Sequence, residues 1–192
     1  ISDASPVSNL EKLYILRLDY NPLNGNISAV SVLTNLTELI LDGCGQVNLS
    51  VISGLKNLRW LSINNNGIND IEPLRGLSIL QDLRICDNKI SDLSAVKDLK
   101  ELRILQLWNN NVNDISPASK LEYLEELAFI NNKVEDISAL ANLKNLKMLD
   151  MDYNPLNEQA YTEIIPKIKV NNPDIKISYT LGKIDDIKET TL

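Results

Sequence analysis

The 192-residue sequence contains no histidine, which removes the commonest general base and the commonest zinc ligand of proteins. Its two cysteines are too few for a disulfide framework. No apolar run approaches the roughly 18 residues that suggest a membrane-spanning helix. Acidic residues outnumber basic ones, 26 to 19, and the net charge of −7 argues against nucleic acid as the main ligand.

Aromatic residues are also scarce, at 5% of the chain, although hydrophobic residues together reach 44%. This apolar content is sufficient to bury one core. Because most of it is aliphatic, we expect that core to consist of thin, stacked layers of leucine and isoleucine.

The pattern L-x-x-L-x-L-x-x-N occurs seven times, with cysteine at the last position of the second copy. The copies are residues 13–21, 36–44, 58–66, 80–88, 102–110, 124–132 and 146–154. Their last residues are separated by 23 residues once and by 22 residues five times. A constant period of this length is the sequence signature of a solenoid, in which each repeat packs on its neighbours.

Each position of the repeat has a physical role. The leucines of L-x-L face one side of a short strand, and successive strands stack in parallel at about 4.8 Å. The asparagine turns the chain away from the strand and can bond buried backbone groups. After it, segments such as NDISPA and EDISAL predict one short helical turn capped by the serine. The aspartates at the start of these segments, predicted to stabilise the turn, are Asp70, Asp92, Asp114 and Asp136.

This unit is identified as a leucine-rich repeat, and the rest of each unit resembles the 22-residue class of bacterial internalins and of the phosphatase-1 regulatory subunit. The resemblance covers residues 1 to about 156. It implies an α/β repeat solenoid, a right-handed horseshoe with a parallel concave β-sheet. It further implies a convex side of short 3-10 or irregular turns and a C-terminal cap made of a helix and a strand. The motifs are far more specific for the fold than for a function.

We predict three parts: a repeat domain at 1–156, a cap at 157–180 and a tail or linker at 181–192. In the cap, Asn157 should begin a helix that Pro166 ends or bends, and alternation near its end predicts a last strand. The first residues match the middle of a repeat. We therefore expect earlier repeats or a capping segment before them in the parent protein.

The third, fifth, seventh and eighth residues of each copy should project from the concave sheet. In the seven copies they include eight acids and two bases, so that 2 − 8 = −6 of the net charge lies on this face. Both tryptophans are among them, and an apolar centre with a charged border is typical of a protein-binding patch. The predicted partner-binding residues are Trp60, Asp82, Arg84, Ile104, Gln106, Trp108, Glu126, Ala128, Ile130, Met148, Asp150 and Asp152.

The same face also has a structural interpretation, because concave apolar residues can pack on cross-strand neighbours without binding anything. We expect Cys44 to be buried and Cys86 to be an accessible thiol, about 10 Å apart and beyond the reach of a disulfide. The acid pairs on the face lack the six to eight oxygens that calcium requires. We therefore expect no metal and no cofactor.

The function predicted from these observations is protein binding, with a partner whose surface is basic and apolar. We expect a monomer that binds no nucleic acid and does not insert into a membrane. An enzyme is not expected, since no phosphate loop and no nucleophile motif is present. Two alternatives stay open: a structural spacer of a larger surface protein, and an intracellular subunit like the phosphatase regulator. The internalin resemblance implies a bacterial cell surface or secreted location, with the cytoplasm as the alternative.

Overall fold

The computed structural model describes residues 1–180, and the predicted tail at 181–192 lies outside the described residues. Eight parallel strands of three residues each form one sheet in chain order. The strands are β1 (Ile15–Arg17), β2 (Glu38–Ile40), β3 (Trp60–Ser62), β4 (Asp82–Arg84), β5 (Ile104–Gln106), β6 (Glu126–Ala128), β7 (Met148–Asp150) and β8 (Lys176–Ser178). The predicted leucine-rich repeat solenoid is confirmed.

The register of the sheet follows the repeat without slippage. Leucines at the centre of neighbouring strands pair directly, as Leu61 does with Leu83 and Leu83 with Leu105. These leucines are fully buried and belong to a single aliphatic core that extends along the solenoid. The residues on either side of each leucine therefore point away from the core, as the alternation of a strand requires.

Short 3-10 turns form the convex side, because the residues that remain in a 22-residue repeat cannot form a long helix. The turns are Ser5–Asn9, Ser28–Val32, Leu49–Ile52, Glu72–Leu74, Ser94–Asp98, Ser116–Lys120 and Ser138–Leu140. The prediction that serine caps the turn is wrong, since Ser94 is the first residue of its turn. Its backbone N–H donates to Asp92 Oδ1 at 2.7 Å, so the aspartate stabilises the turn. This hydrogen bond lowers the pKa of Asp92.

A ladder of buried asparagines joins successive repeats beneath the sheet edge. Asn88 Oδ1 accepts from the backbone N–H groups of Asn66 at 3.1 Å and Ile68 at 2.9 Å. Its amide Nδ2 donates to the carbonyls of Ile63 at 3.0 Å and Ile85 at 3.1 Å. Each side chain thus satisfies buried backbone groups of its own repeat and of the one before. The buried members are Asn66, Asn88, Asn110, Asn132 and Asn154.

The last repeat is followed by a helical segment and then by β8. Asn157 Oδ1 accepts from the backbone N–H of Ala160 at 3.0 Å, as the predicted cap of this segment. A π-helical stretch, Ala160–Ile164, leads into the α-helix Ile165–Asn171, and Pro166 lies in the first turn of that α-helix, where its missing N–H is tolerated. Among residues 1–180, no helix combines the length and apolar character needed to cross a bilayer.

Candidate protein-binding surface

The outward residues of β1 to β8, with those just after each strand, form the concave surface. Of the twelve predicted partner-binding residues, ten are half-buried, Trp108 is 37% exposed and Ala128 is buried. The sheet register makes them contiguous. One row across neighbouring strands is Trp60, Asp82, Ile104, Glu126 and Met148, and the next is Arg84, Gln106, Ala128 and Asp150.

Trp60 lies outside the aliphatic core but is covered by two arginines. The guanidinium carbon of Arg84 lies 5.3 Å from its ring centroid, and that of Arg17 lies 5.7 Å away. Both distances allow cation–π attraction. The indole Nε1 is buried and has no hydrogen-bond partner within the described chain. Trp60 is therefore a packed residue of the concave surface.

The two arginines are themselves held by acids of the same face. Arg17 Nε donates to Glu38 Oε1 at 2.8 Å. Arg84 forms a bidentate pair with Asp82, through Nε to Oδ1 and through Nη2 to Oδ2, both at 3.0 Å. Hydrogen bonding to Asp82 raises the pKa of Arg84. The charges of Glu38 and Asp82 are thus balanced within the protein.

Another acid, Asp42, is bonded by polar groups of the next repeat. It accepts from Ser62 Oγ at 2.7 Å and from the backbone N–H of Asn64 at 2.8 Å. Asn64 Oδ1 in turn accepts from the backbone N–H of Cys86 at 2.7 Å. The prediction of an accessible thiol at Cys86 is wrong: the residue is buried, and burial raises its pKa to about 12. Cys44 is buried as predicted, and both thiols are free.

An apolar area on β5 to β7 and the residues after them has no such cover. Trp108 is exposed, and Ile104, Ile130 and Met148 are half-buried around it. Ala128 forms the low floor between them, because its short side chain is buried at 6% exposure. Ala128, one of the predicted contact residues, therefore lies beneath the surface. We call the set Ile104, Trp108, Glu126, Ile130 and Met148 the Trp108 patch.

Glu126 is the charged member of the Trp108 patch. Its neighbours on the adjacent strands are Ile104 and Met148, which offer no hydrogen bond. The Glu126 carboxylate makes no hydrogen bond or ion pair within residues 1–180, although its charge contributes to the raised pKa of Arg84. The carboxylate oxygens of Glu126 are not among the buried, unpartnered atoms of the described chain, so they remain accessible to water and to a partner.

The acids at the end of the sheet are close to each other. Asp150 Oδ1 is buried and has no hydrogen-bond partner among the described residues. Burial raises the pKa of Asp150, and the nearby charge of Asp152 raises it further. Asp152 accepts hydrogen bonds from the hydroxyls of Ser178 and Thr180. Within residues 1–180, no group of three or more acids or cysteines is arranged to hold a metal ion.

The structure adds two residues to the face that the sequence analysis left out. Strand β8 pairs with β7, so that Lys176 stands beside Met148 and Ser178 beside Asp150. Lys176 is exposed and brings a positive charge to the far edge of the concave surface. The alternating segment 175–179 could have predicted these two residues, because the outward positions of a last strand continue the columns of the repeat.

Comparisons with known proteins place this geometry in a family. The family model for the leucine-rich repeat matches residues 100–156. Internalin C2 from Listeria monocytogenes is 30% identical, with a TM-score of 0.85, and the match covers 94% of this chain and 76% of that one. A second internalin of the same organism, inlF, is 26% identical with a TM-score of 0.76, over 94% of this chain and 57% of its own.

A leucine-rich repeat protein from Leptospira interrogans is 25% identical, with a TM-score of 0.68, over 91% of this chain and 50% of its own. A search of curated proteins gave no match. The chain thus spans three quarters of internalin C2 and about half of the two longer relatives. Its repeats have the geometry of internalin repeats along most of their length.

Proposed function

The chain belongs to the leucine-rich repeat proteins of the internalin type, and on that premise we propose that it binds a protein partner through the Trp108 patch. Leucine-rich repeat folds are in general protein–protein interaction modules and are typically not enzymes. The observation that carries the proposal is the exposure of Trp108 among half-buried aliphatic residues. Tryptophan is among the residues most enriched at binding hot spots, and more than a third of the Trp108 surface is exposed.

The charge near the patch favours a partner that is basic as well as apolar. In the last three copies of the repeat, the third, fifth, seventh and eighth residues carry the acids Glu126, Asp150 and Asp152 and no base, which gives 0 − 3 = −3. Lys176 lies at the edge, on β8. A cationic group of the partner, placed beside Glu126, would form a charge-assisted hydrogen bond with this carboxylate.

The remaining parts of the proposal rest on the internalin likeness. We infer a location at the bacterial surface or outside the cell, and a monomer in which residues 157–180 act as the closing unit of repeats 1–156. The spacer alternative requires a concave surface without a contact site, and the uncovered Trp108 argues against that. An intracellular regulatory subunit would use the same surface and differ in its partner.

The test compares the two tryptophans. Wild type, Trp108→Ala and Trp60→Ala are immobilised, and the proteins that each retains from surface-protein preparations of candidate cells are identified and their Kd values measured. We expect Trp108→Ala to weaken binding by at least about 2 kcal/mol, roughly 30-fold, and Trp60→Ala to have a smaller effect. Circular dichroism confirms that each variant is folded. A partner bound equally well by the Trp60→Ala, Trp108→Ala double variant would refute the placement.

A further inference from the structure

The hexapeptide DYNPLN occurs at residues 19–24 and again at 152–157, in the first and the last copies of the repeat and nowhere between. Part of this motif has a structural role. Leu23 and Leu156 are buried in the core, and Asn157 begins the helical segment of the cap. The tyrosines Tyr20 and Tyr153 are not explained in this way, because they precede the buried asparagine position and lie on the concave surface.

The backbone at this position of the repeat is left-handed throughout. Tyr20 has φ of 54° and Tyr153 has φ of 55°. In the five intervening copies the same position holds residues that tolerate this conformation, namely Gly43, Asn65, Asp87, Asn109 and Asn131. A bulky aromatic residue there is an outlier, because its Cβ crowds the following carbonyl. Tyrosine at the two ends of the sheet therefore costs stability relative to asparagine.

Packing within the protein offsets little of this cost. Tyr20 is 75% exposed and Tyr153 is 69% exposed. Tyr20 lies across Gly43, where an added Cβ would come within 2.8 Å of its ring. Neither phenol hydroxyl makes a hydrogen bond within residues 1–180. Strained backbone conformations that persist without a structural gain occur at functional sites.

We propose that Tyr20 and Tyr153 are two contact residues for the protein partner of the Trp108 patch, one at each end of the concave surface. The proposal rests on the proposed function and adds the size of the partner. Six strand steps of about 4.8 Å place the tyrosines about 29 Å apart along the sheet. A standard interface of roughly 800 Å² per partner has about this width, so the partner is a folded domain.

The chemistry of the two ends supports a shared partner. Each tyrosine follows an acid, Asp19 or Asp152, so each aromatic contact is paired with negative charge that suits a basic surface. Tyrosine gives a large contact area at a low entropic cost, since it has only two side-chain torsions to fix. With Trp108 between them, the tyrosines define three aromatic contacts along one curved sheet.

The first test needs no partner. Thermal unfolding is measured for Tyr20→Asn, Tyr153→Asn and the control Tyr14→Asn, which replaces a tyrosine that is 62% exposed and has no positive φ. We expect Tm to be unchanged or raised by about 2 °C for the first two variants, and not raised for the control. A fall of more than about 4 °C in either variant would show that its tyrosine stabilises the fold, and would overturn the proposal.

The second test uses as its probe the protein that wild type retains and Trp108→Ala does not. The Tyr20→Asn, Tyr153→Asn double variant should bind this protein at least about 10-fold more weakly, each single variant should weaken it less, and Tyr14→Asn should leave binding unchanged. Loss with Trp108→Ala but unchanged binding by the double variant refutes the tyrosine contacts and leaves the proposed function intact. An effect of one tyrosine alone refutes the two-ended contact. Absence of any Trp108-dependent partner refutes both proposals.

Discussion

The two halves of the concave surface are built on the same backbone and differ in what covers their tryptophans. On the half formed by β1 to β4, Trp60 lies between Arg17 and Arg84, and each arginine is paired with an acid of the same face. On the half formed by β5 to β7, Trp108 is exposed and Glu126 has no partner within the described chain. The arginines of the first half are paired within the protein, whereas the second half has an exposed tryptophan and a carboxylate that is free to bind a partner.

This difference shows that charge and hydrophobicity do not by themselves identify a binding surface. Asp82 and Glu126 occupy the same position of the repeat, two strands apart, and carry the same charge. Asp82 is bonded to a guanidinium and Glu126 is not. A carboxylate that already has its hydrogen bonds gains little from a partner, while one that lacks them gains a charge-assisted bond.

The largest effect we predict should be equal in the two halves, because they share one core. Asn88→Ala and Asn132→Ala each remove a ladder amide and leave buried backbone groups unpaired. We expect each substitution to lower the free energy of unfolding by about 3 kcal/mol, measured by chemical denaturation. An exposed asparagine outside the ladder, Asn113, serves as the control, and Asn113→Ala should change stability by less than about 0.5 kcal/mol.

A ladder variant that affects only one half would show that the halves differ in the core as well as at the surface. The asymmetry would then be a matter of stability, and the exposure of Trp108 could reflect a loosely packed region. Equal losses at Asn88 and Asn132 leave the surface groups as the difference between the halves.

The second largest effect, the stability lost on removing each tryptophan, should be unequal between the two halves. Trp60→Ala removes an aromatic ring held by two arginines, and we expect a loss of about 2 kcal/mol in the free energy of unfolding. Trp108→Ala removes a ring that is 37% exposed, so less apolar area is lost from the interior and the loss should be smaller than that of Trp60→Ala. Trp60→Phe is the matched variant: it keeps a ring for the arginines and removes the unpartnered Nε1, so we expect almost no loss. Similar losses for both alanine variants would remove the contrast.

The fold could be predicted from the sequence, since the 22-residue period and the L-x-L columns specify the strand register, the core and the asparagine ladder. The direction of Trp60 and Trp108 away from the core also followed from alternation. The cover on Trp60 did not, because it depends on the rotamers of Arg17 and Arg84, which lie on other strands. The burial of Cys86 was missed for a similar reason, as its neighbours come from adjacent repeats.

A smaller effect tests the charge contrast. Glu126→Gln should weaken binding of the partner by about 1 kcal/mol at low ionic strength, because it removes the unpaired carboxylate, and the loss should shrink as salt screens the interaction. Asp82→Asn changes the net charge equally but removes an acid already paired with Arg84, so we expect a weaker effect on binding. Kd values at two salt concentrations provide the measurement. Equal losses for the two variants would show that only the net charge of the face matters.

The smallest effect concerns the acid at the end of the second half. Burial raises the pKa of Asp150, so the folded state holds its proton to a higher pH than the unfolded state does, and ionisation near neutral pH destabilises the fold. Asp150→Asn should therefore raise the free energy of unfolding at pH 7, with the gain vanishing near pH 3, where the unfolded aspartate is also protonated. Asp92 is the opposite case, because its hydrogen bond with Ser94 lowers its pKa. The stability that Asp92 contributes is therefore present at pH 7 and is lost on acidification. Asp92→Ala should destabilise the protein more at pH 7 than at pH 3. Unfolding curves at the two pH values should thus shift in opposite directions for the two variants, and a shift in the same direction would place Asp150 among the satisfied acids of the first half.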